Sequence, residues 1–271
     1  MKLGFIGAGN MGGAIIRGYV KKNPDQAQNV YISEATPEMA KKVAEAIGVN
    51  GTDGVDDLVS KVDTIVLAIK PNMFGKVLPQ VKAAIEASDD EKRVISIAAG
   101  ITLDYLKNGL PEGLKIIRVM PNTPAMVNEG MTALFLGETA DEAFQNDALA
   151  LFESCGKVEV LNESLIHAVI GASGSSPAYT YMFIEAIADA VVAEGMPRAQ
   201  AYKFAAQAVL GAAKMVLETG KHPGALKDDV CSPAGTTIEA VISMEQMGLR
   251  AAVMQGVRDC CDKSREMSGE K

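Results

Sequence analysis

Three glycines near the start of the chain stand at the spacing of a dinucleotide-binding turn. The run GFIGAGNMGGAI places Gly7, Gly9 and Gly12 in the arrangement G-x-G-x-x-G, directly after a β-rich run and at the start of a helical pattern. The first glycine makes the tight turn, the second lets the backbone approach a pyrophosphate, and the third lets helix and strand pack closely. A second β-rich run, NVYISE, ends in an acid, Glu34. Together these features predict a dinucleotide site.

Glu34 bears on which dinucleotide binds. A carboxylate at the end of this strand normally bonds the ribose 2′-hydroxyl and repels a 2′-phosphate, which favours NADH over NADPH. Nearby residues could instead hold a phosphate if the loop turned this carboxylate outward: Ser33, Thr36, Lys41 and Lys42. The sequence therefore leaves the choice between NADH and NADPH open.

Later β-rich runs end in small residues that could border the nicotinamide. Ligands in such sheets bind beyond the carboxyl ends of the strands, where the runs LAIKPN and SIAAG end. After the next strand, the rigid turn MPNTP is expected to present the neutral amide of Asn122 to the cleft. The candidate cofactor residues are Gly7, Ala8, Gly9, Asn10, Met11, Gly12, Ser33, Glu34, Ala68, Ile69, Lys70, Pro71, Ala98, Ala99, Gly100 and Asn122.

Two Ser-Pro pairs in the second half of the chain indicate helix starts that could hold an anion. They occur in SGSSPAY, with Pro177, and in CSPAGTT, with Ser232 and Pro233. Serine caps a helix and proline suits its first position, so the following N–H groups point outward at the positive end of the helix dipole. Such an end can bind a carboxylate. Capping alone would explain one Ser-Pro, but Gly235, at the expected third helical position, is unfavourable unless something must approach the backbone.

The elements that position these residues fall into two halves. From residue 2 to about 160, short β-rich runs alternate with helical stretches: KLGFIG, NVYISE, DTIVLAI, KRVISIAA, LKIIRVM, MTALFL and KVEVL. This alternation predicts βαβ units and a mostly parallel sheet. Afterwards only helical patterns follow, at 177–194, 198–219, 233–247 and beyond. We therefore predict an α/β fold, with a Rossmann-type dinucleotide-binding domain at 1–161 and an all-α dimerisation and substrate domain at 162–271.

Composition restricts the partners. A net charge of −8 without a dense Lys/Arg run argues against nucleic acid. The apolar run AYTYMFIEAIADAVVAEG carries Glu185 and Asp189, which fits a core helix rather than a membrane span. Four cysteines and two histidines stand at spacings that suit neither disulfides nor a metal site. We therefore expect no metal. Because the start of the chain has no signal-peptide pattern, we expect a cytoplasmic protein.

The helices of the second half are apolar on more than one face, as in AAQAVLGAAKMVL. A helix that is apolar all round needs a partner on both sides. We therefore predict that the helical domain packs against a second copy of itself as a homodimer, with a higher assembly of dimers left open. The alternative is that these helices bury their faces against each other and against the α/β domain.

Motifs along essentially the whole chain resemble those of the pyrroline-5-carboxylate reductases, the enzymes of the last step of proline synthesis. The matching runs are GFIGAGNMG, KP at 70 and 71, SIAAG, MPNTP, GASGSSPAY, GMPRAQAYKFAAQAVLGAAKM and HPGALKDDVCSPAGTTIEAV, of which the last is highly specific. Ala234 departs from the family, which commonly has a second glycine there. Because alanine adopts helical angles without strain, we expect it to be tolerated. Glu34 also departs, since many relatives carry small or hydroxyl residues and use NADPH.

The resemblance implies hydride transfer from C4 of NADPH or NADH to the imine carbon of 1-pyrroline-5-carboxylate, giving L-proline. We expect the substrate carboxylate to contact the N–H groups of Gly235 and Thr236, in an active site formed between the domains. In a dimer, the substrate loop can come from the partner chain. The candidate substrate residues are Ser175, Ser176, Val230, Cys231, Ser232, Gly235, Thr236 and Thr237.

Thr237 is similar in position to the hydroxyl proposed as proton donor in the family, which makes it the candidate catalytic residue. Threonine is a poor acid. A hydrogen bond that orients the imine, with the proton taken from water or already present on the substrate, is an equal alternative.

Two other classes share parts of this pattern. A β-hydroxyacid dehydrogenase has the same two-part plan but needs a base, usually a lysine in the first long helix of its second domain. The run SSPAYTYMFIEAIADA has none. A non-enzymatic NAD(P)-sensing module is the other alternative, because a fold does not fix a function, but it leaves the two Ser-Pro pairs unexplained.

Overall fold

Residues 1–269, which the computed structural model describes, contain an eight-stranded sheet. Its strands are β1 (Leu3–Ile6), β2 (Val30–Ser33), β3 (Asn50–Gly51), β4 (Thr64–Leu67), β5 (Arg93–Ser96), β6 (Lys115–Met120), β7 (Gly130–Leu136) and β8 (Gly156–Val160). They lie in the order β3-β2-β1-β4-β5-β6-β7-β8. β6 and β7 pair antiparallel, and the other neighbours pair parallel. The predicted mostly parallel sheet is confirmed.

Helices cover both faces of this sheet. They are α1 (Asn10–Lys22), α2 (Pro37–Ile47), α3 (Val55–Lys61), α4 (Phe74–Glu86), α5 (Leu103–Gly109) and α6 (Glu142–Phe152). On one face Phe5 shares a buried cluster with Phe152 of α6. On the other, Ile6 lies in a cluster with Leu58 of α3 and Phe74 of α4. Because successive strand residues point to opposite faces, burial on both sides explains the continuous apolar runs of the sequence.

After β8 the described chain is helical to its end. It contains α7 (Ile166–Val169), a π-helical turn at Ile170–Gly174, α8 (Ser176–Ala193), α9 (Arg198–Thr219), α10 (Pro223–Val230), α11 (Thr236–Gln246) and α12 (Leu249–Ser268). The predicted α/β fold followed by an all-α part is therefore confirmed. None of the helices in residues 1–269 is long and apolar enough to cross a membrane.

Contacts divide the chain into two compact units, and the first unit is discontinuous. It comprises residues 1–174 together with the chain from Cys261 onward, and the second comprises 175–260. Ile166 belongs to the first unit because it packs against Ala133 and Phe135 of β7. The end of α12 joins it there, since Ser264 Oγ lies 2.8 Å from Nδ1 of the buried His167. This division differs from the predicted boundary between residues 161 and 162, which stays a prediction.

The second unit has a small core made of small side chains. Ala188 of α8 and Ala201 and Ala205 of α9 are buried against each other, with partly buried aliphatic residues around them. Its large apolar side chains are mostly at the surface: Tyr181, Met182, Phe204, Leu210, Met215, Leu217 and Met247. Soluble monomers rarely expose so much apolar surface in one region.

A buried ion pair holds the segment before α7 to the sheet. The guanidinium of Arg118 on β6 is almost fully buried, and its Nη1 donates to Glu163 Oε1 at 2.7 Å. The same oxygen accepts from the Leu103 N–H at the start of α5 at 2.9 Å. One carboxylate therefore joins β6, α5 and the chain that leads into α7.

We predict that Glu163→Ala lowers the free energy of unfolding by about 2–3 kcal/mol, because it leaves the Arg118 charge buried without its partner. Urea denaturation at one fixed protein concentration measures the change. The control is Glu138→Ala, which removes an equally short but exposed ion pair with Lys107 and should leave the stability nearly unchanged. Equal effects of the two substitutions would contradict the prediction.

Candidate active site

The glycine-rich turn between β1 and α1 has the shape of a pyrophosphate cradle. Gly7 has a φ of +91°, and a Cβ on it would lie 2.8 Å from the Ala68 carbonyl oxygen. A Cβ on Gly12 would lie 2.7 Å from the Gly7 carbonyl oxygen. A Cβ on Gly9, by contrast, would meet nothing within 4 Å. Gly7 therefore makes the tight turn, Gly12 allows the close packing and Gly9 leaves the backbone open to a ligand, as the spacing predicts.

The start of α1 faces this open space. Gly9 is its N-cap, and no side chain among the described residues caps its first turn. The first N–H groups of a helix lack partners within it and carry the positive end of the helix dipole. The turn and the helix start can together hold an anionic pyrophosphate.

Glu34, at the carboxyl end of the neighbouring β2, reaches into the same turn. Its Oε1 accepts a hydrogen bond from the Ala8 N–H at 2.6 Å. The Gly7 N–H donates to the Ser33 carbonyl at 2.8 Å, which ties the turn to β2. The side chain of Glu34 is half-buried. Its carboxylate therefore faces the glycine turn and is not directed outward.

A cleft of about 430 Å³ extends from the glycine turn. The predicted cofactor residues that line it are Gly7, Gly9, Ser33, Glu34, Ala68, Ile69 and Lys70. The sequence analysis missed seven further lining residues, Ile6, Ala35, Val55, Met73, Lys76, Val77 and Gln80. The helical run FGKVLPQVKAAIEA, which follows closely after LAIKPN, was the signal for Lys76, Val77 and Gln80, because a helix that leaves a strand end begins beside the same cleft.

The other predicted cofactor residues stand at the same edge of the sheet. β1, β4 and β5 are parallel neighbours, so their carboxyl ends meet there. Ala98 after β5 is buried, whereas Gly100 is exposed with a φ of +77°. Pro71 begins a short 3₁₀ turn after β4. Contacts from these residues, and from Ala8, Asn10, Met11 and Ala99, to a cofactor stay predictions.

Asn122 uses its amide inside the first unit. Its side chain is only 8% exposed. Oδ1 accepts from the Met131 N–H at 2.9 Å, and Nδ2 donates to the Ser173 carbonyl at 3.0 Å. The expectation that Asn122 presents its amide to a cleft is therefore wrong. The amide instead links the turn after β6 to β7 and to the π-helical turn.

The second candidate helix start lies three residues later than predicted. The Gly235 N–H donates to the Ser232 carbonyl at 3.1 Å, closing a turn, and α11 begins only at Thr236. Pro233 stands at the second position of this turn and Ala234, with a φ of +54°, at the third. Proline followed by a left-handed residue is the pattern of a type II turn. Ser232 is therefore not the cap, and Gly235 is the N-cap rather than the third helical residue.

This arrangement still leaves an anion site at the start of α11. Gly235 has no side chain that could cap the helix, and no other side chain in residues 1–269 does so. Thr236 is exposed and Thr237 is half-buried at the second helical position. Because the Gly235 N–H is used in the turn, the donors available to a carboxylate are those of the first helical residues. Val230 and Cys231 lie just before the turn, at the end of α10.

The first Ser-Pro pair does not open a helix in the predicted way. The chain enters α8 directly from the π-helical turn, and the backbone of Ser175 is already helical. Its hydroxyl makes no capping bond within the described chain; instead, Cys260 Sγ donates to Ser175 Oγ at 3.2 Å. π-helical turns occur often at functional sites. Substrate contacts from Ser175 and Ser176 stay predictions.

Comparisons with protein families give one consistent result. Residues 163–267 match the family model described as pyrroline-5-carboxylate reductase dimerisation. Residues 2–100 match the family model described as NADP oxidoreductase, coenzyme F420-dependent.

Individual proteins agree with the family models. The chain is 48% identical to the pyrroline-5-carboxylate reductase of Escherichia coli, with 98% of each chain covered. It is 40% identical to that of Arabidopsis thaliana, covering 98% of this chain and 95% of the relative. The structure of a pyrroline-5-carboxylate reductase from Coxiella burnetii is similar with a TM-score of 0.91, 31% identity and 98% of each chain covered. The Plasmodium falciparum pyrroline carboxylate reductase with NADP bound has a TM-score of 0.85 and 30% identity, covering 99% of this chain and 98% of that one.

Ala234 does not adopt the helical angles expected of it. Its left-handed conformation brings the alanine Cβ close to the neighbouring carbonyl, which costs about 1 kcal/mol. The glycine that the family commonly carries avoids this strain.

We predict that Ala234→Gly raises the free energy of unfolding by about 0.5 kcal/mol. Removing the Cβ relieves the strain in the folded state, and the greater freedom of glycine in the unfolded chain cancels only part of that gain. The control is Ala240→Gly in the exposed middle of α11, which should lower it by about 1 kcal/mol. Urea denaturation of both variants measures the two changes. Loss of stability in Ala234→Gly as large as in the control would contradict the assigned strain.

Proposed function

Because the chain belongs to the pyrroline-5-carboxylate reductase family, we propose that the glycine turn of its first unit binds the cofactor and the start of α11 in its second unit binds the substrate. The reaction is the NAD(P)H-dependent reduction of 1-pyrroline-5-carboxylate to L-proline, the last step of proline biosynthesis. The observation that carries the residue assignment is the uncapped start of α11 at Gly235.

The cofactor, when bound, supplies the hydride. The protein has to bind the cofactor and the substrate, orient them and neutralise their negative charges. At the glycine turn, the open side of Gly9 admits the pyrophosphate to the backbone. The start of α1 stabilises the negative charge of that pyrophosphate. Lys70 and Lys76, which line the same cleft, add positive charge near it.

The substrate carboxylate is assigned to the start of α11. The backbone N–H groups of Thr236 and Thr237 are its donors, and the helix dipole favours its negative charge. Fixing the carboxylate also fixes the imine ring, because the two are joined through one carbon. Orientation of this kind is a large part of what a hydride transfer needs from a protein.

Thr237 is assigned the hydrogen bond that orients the imine nitrogen. Its side chain is half-buried in the first turn of α11, next to the proposed carboxylate site. The pKa of a threonine hydroxyl is far too high for efficient proton donation at neutral pH, so the proton comes from water or is already on the substrate. A β-hydroxyacid dehydrogenase would instead need a lysine base on α8, whose sequence SPAYTYMFIEAIADAVVA has none.

The match to a dimerisation family model indicates an oligomer. We assign it as a homodimer in which a second copy covers the exposed apolar side chains of α8, α9 and α11. Phe204, Leu217 and Met247 are 67%, 79% and 87% exposed in the single chain, and a permanent interface is the usual reason for such exposure. A higher assembly of dimers stays a prediction.

The function is tested by mixing purified protein with 1-pyrroline-5-carboxylate and either NADH or NADPH. Loss of reduced-nicotinamide absorbance with an equal amount of proline formed is the expected result. A protein that binds a dinucleotide but oxidises neither cofactor with this substrate would contradict the proposal and favour another imine or a sensing module.

We predict that Thr237→Ala lowers kcat by about 10- to 100-fold, because a hydrogen bond to the reacting imine is lost. The dissociation constant of the cofactor should not change, since the cofactor motifs lie elsewhere. Thr237→Ser keeps the hydroxyl and should retain most of the activity. Weaker cofactor binding in Thr237→Ala, in proportion to the lost activity, would refute the assignment.

We predict that Phe204→Asp shifts the protein from dimer to monomer in sedimentation equilibrium, because it places a charge in an apolar interface. The control is Lys82→Asp on α4 of the first unit, whose side chain is 42% exposed, and this substitution should leave the dimer intact. A wild-type protein that is monomeric at micromolar concentration would contradict the assigned interface.

A further inference from the structure

The carboxylate of Glu34 occupies the part of the cofactor cleft that discriminates between the two nicotinamide cofactors. Glu34 follows β2 directly and lines the cleft together with Gly7 and Gly9. In a Rossmann-type domain, the acid at this place meets the adenosine ribose, whose 2′ position carries either a hydroxyl or a phosphate. NADH and NADPH differ only there.

We infer that Glu34 makes this enzyme prefer NADH to NADPH. The inference rests on the proposed function, since it takes the glycine cleft to be the cofactor site. A carboxylate accepts a hydrogen bond from a ribose 2′-hydroxyl, whereas it repels a 2′-phosphate at close range. The repulsion is strong because the side chain is half-buried and only partly screened by water.

The Ala8 N–H fixes the carboxylate in this position. The bond from this N–H to Glu34 Oε1 is 2.6 Å long, and hydrogen bonds to a charged acceptor are stronger than neutral ones. Oε2 is left for a ribose hydroxyl. To admit a 2′-phosphate, Glu34 would have to turn away, losing this bond. The outward orientation that would suit NADPH is therefore disfavoured.

Two residues that could have held a 2′-phosphate are either engaged elsewhere or buried. Thr36 Oγ1 accepts from the Met39 N–H at 3.3 Å as the N-cap of α2. The Thr36 hydroxyl also bonds Glu38, an exposed acid in the first turn of α2 that does not line the cofactor cleft. Hydrogen bonds from its own backbone N–H and from Thr36 lower the pKa of that carboxyl, so it is ionised at neutral pH. Ser33 is only 2% exposed.

Three of the nearby lysines either line another groove or do not distinguish the two cofactors. The backbone of Lys41 lies against Gly51 of β3, and Lys41 lines a different groove, which also contains Asp53. Lys70 and Lys76 do line the cofactor cleft. Their proposed partner is the pyrophosphate, which both cofactors share, so these two charges do not distinguish NADH from NADPH.

The test is calorimetric titration of the full-length protein with ADP-ribose and with 2′-phospho-ADP-ribose, in the absence of substrate. The wild-type protein should bind ADP-ribose at least about tenfold more tightly. Glu34→Gln removes the charge but keeps an oxygen for the Ala8 N–H, and should bring the ratio of the two dissociation constants close to one. Glu38→Gln makes the same charge change on an exposed acid that does not line the cleft, and should leave the ratio unchanged.

Three results would overturn the inference. In the first, the wild-type protein binds 2′-phospho-ADP-ribose as tightly as ADP-ribose or more tightly. In the second, Glu34→Gln leaves the ratio of the two dissociation constants unchanged. In the third, Glu38→Gln shifts that ratio as much as Glu34→Gln does. Binding of neither ligand would overturn the inference and the cofactor assignment together. Loss of reductase activity with the binding ratio as expected would count against the proposed function alone.

Discussion

The close contact between the ends of β1 and β4 is the constraint on which the cofactor cleft depends. Gly7 lies so near the Ala68 carbonyl that no side chain fits between them, and Gly12 packs equally closely on Gly7. This contact sets the direction in which α1 leaves the sheet, so the positive end of its dipole faces the cleft. It also places the Ala8 N–H within reach of Glu34. One backbone contact thus fixes the cradle, the dipole and the carboxylate together.

The two units bury apolar surface in different ways. The sheet of the first unit is covered on both faces and contains large side chains such as Phe5 and Phe152. The second unit brings two long helices together through small side chains such as Ala188 and Ala201, and keeps its large ones outside. Small residues permit close helix packing but remove little apolar area from water. In the proposed dimer, the folding free energy of the second unit is therefore tied to association, and its stability is expected to depend on protein concentration.

The sequence allowed the fold and the glycine turn to be predicted, because both depend on local patterns. β3 was missed because Asn50–Gly51 offers no apolar run. The start of α11 was misplaced because the turn before it depends on Ala234 in a left-handed conformation, which is uncommon for alanine. The amide of Asn122 was misassigned because one of its partners is the carbonyl of Ser173, 51 residues away. Contacts between distant segments leave no local signature in the sequence.

The end of α12 completes the first unit. Cys261 Sγ donates to the His167 carbonyl at 3.2 Å, and Ser264 bonds the ring of the same histidine. The chain before α7 thus receives packing partners from residues that are synthesised after the whole second unit. On the ribosome, the sheet can form early, since domains fold as their residues emerge. The segment that leads into α8 must wait, so the first unit is finished only after the second has been synthesised.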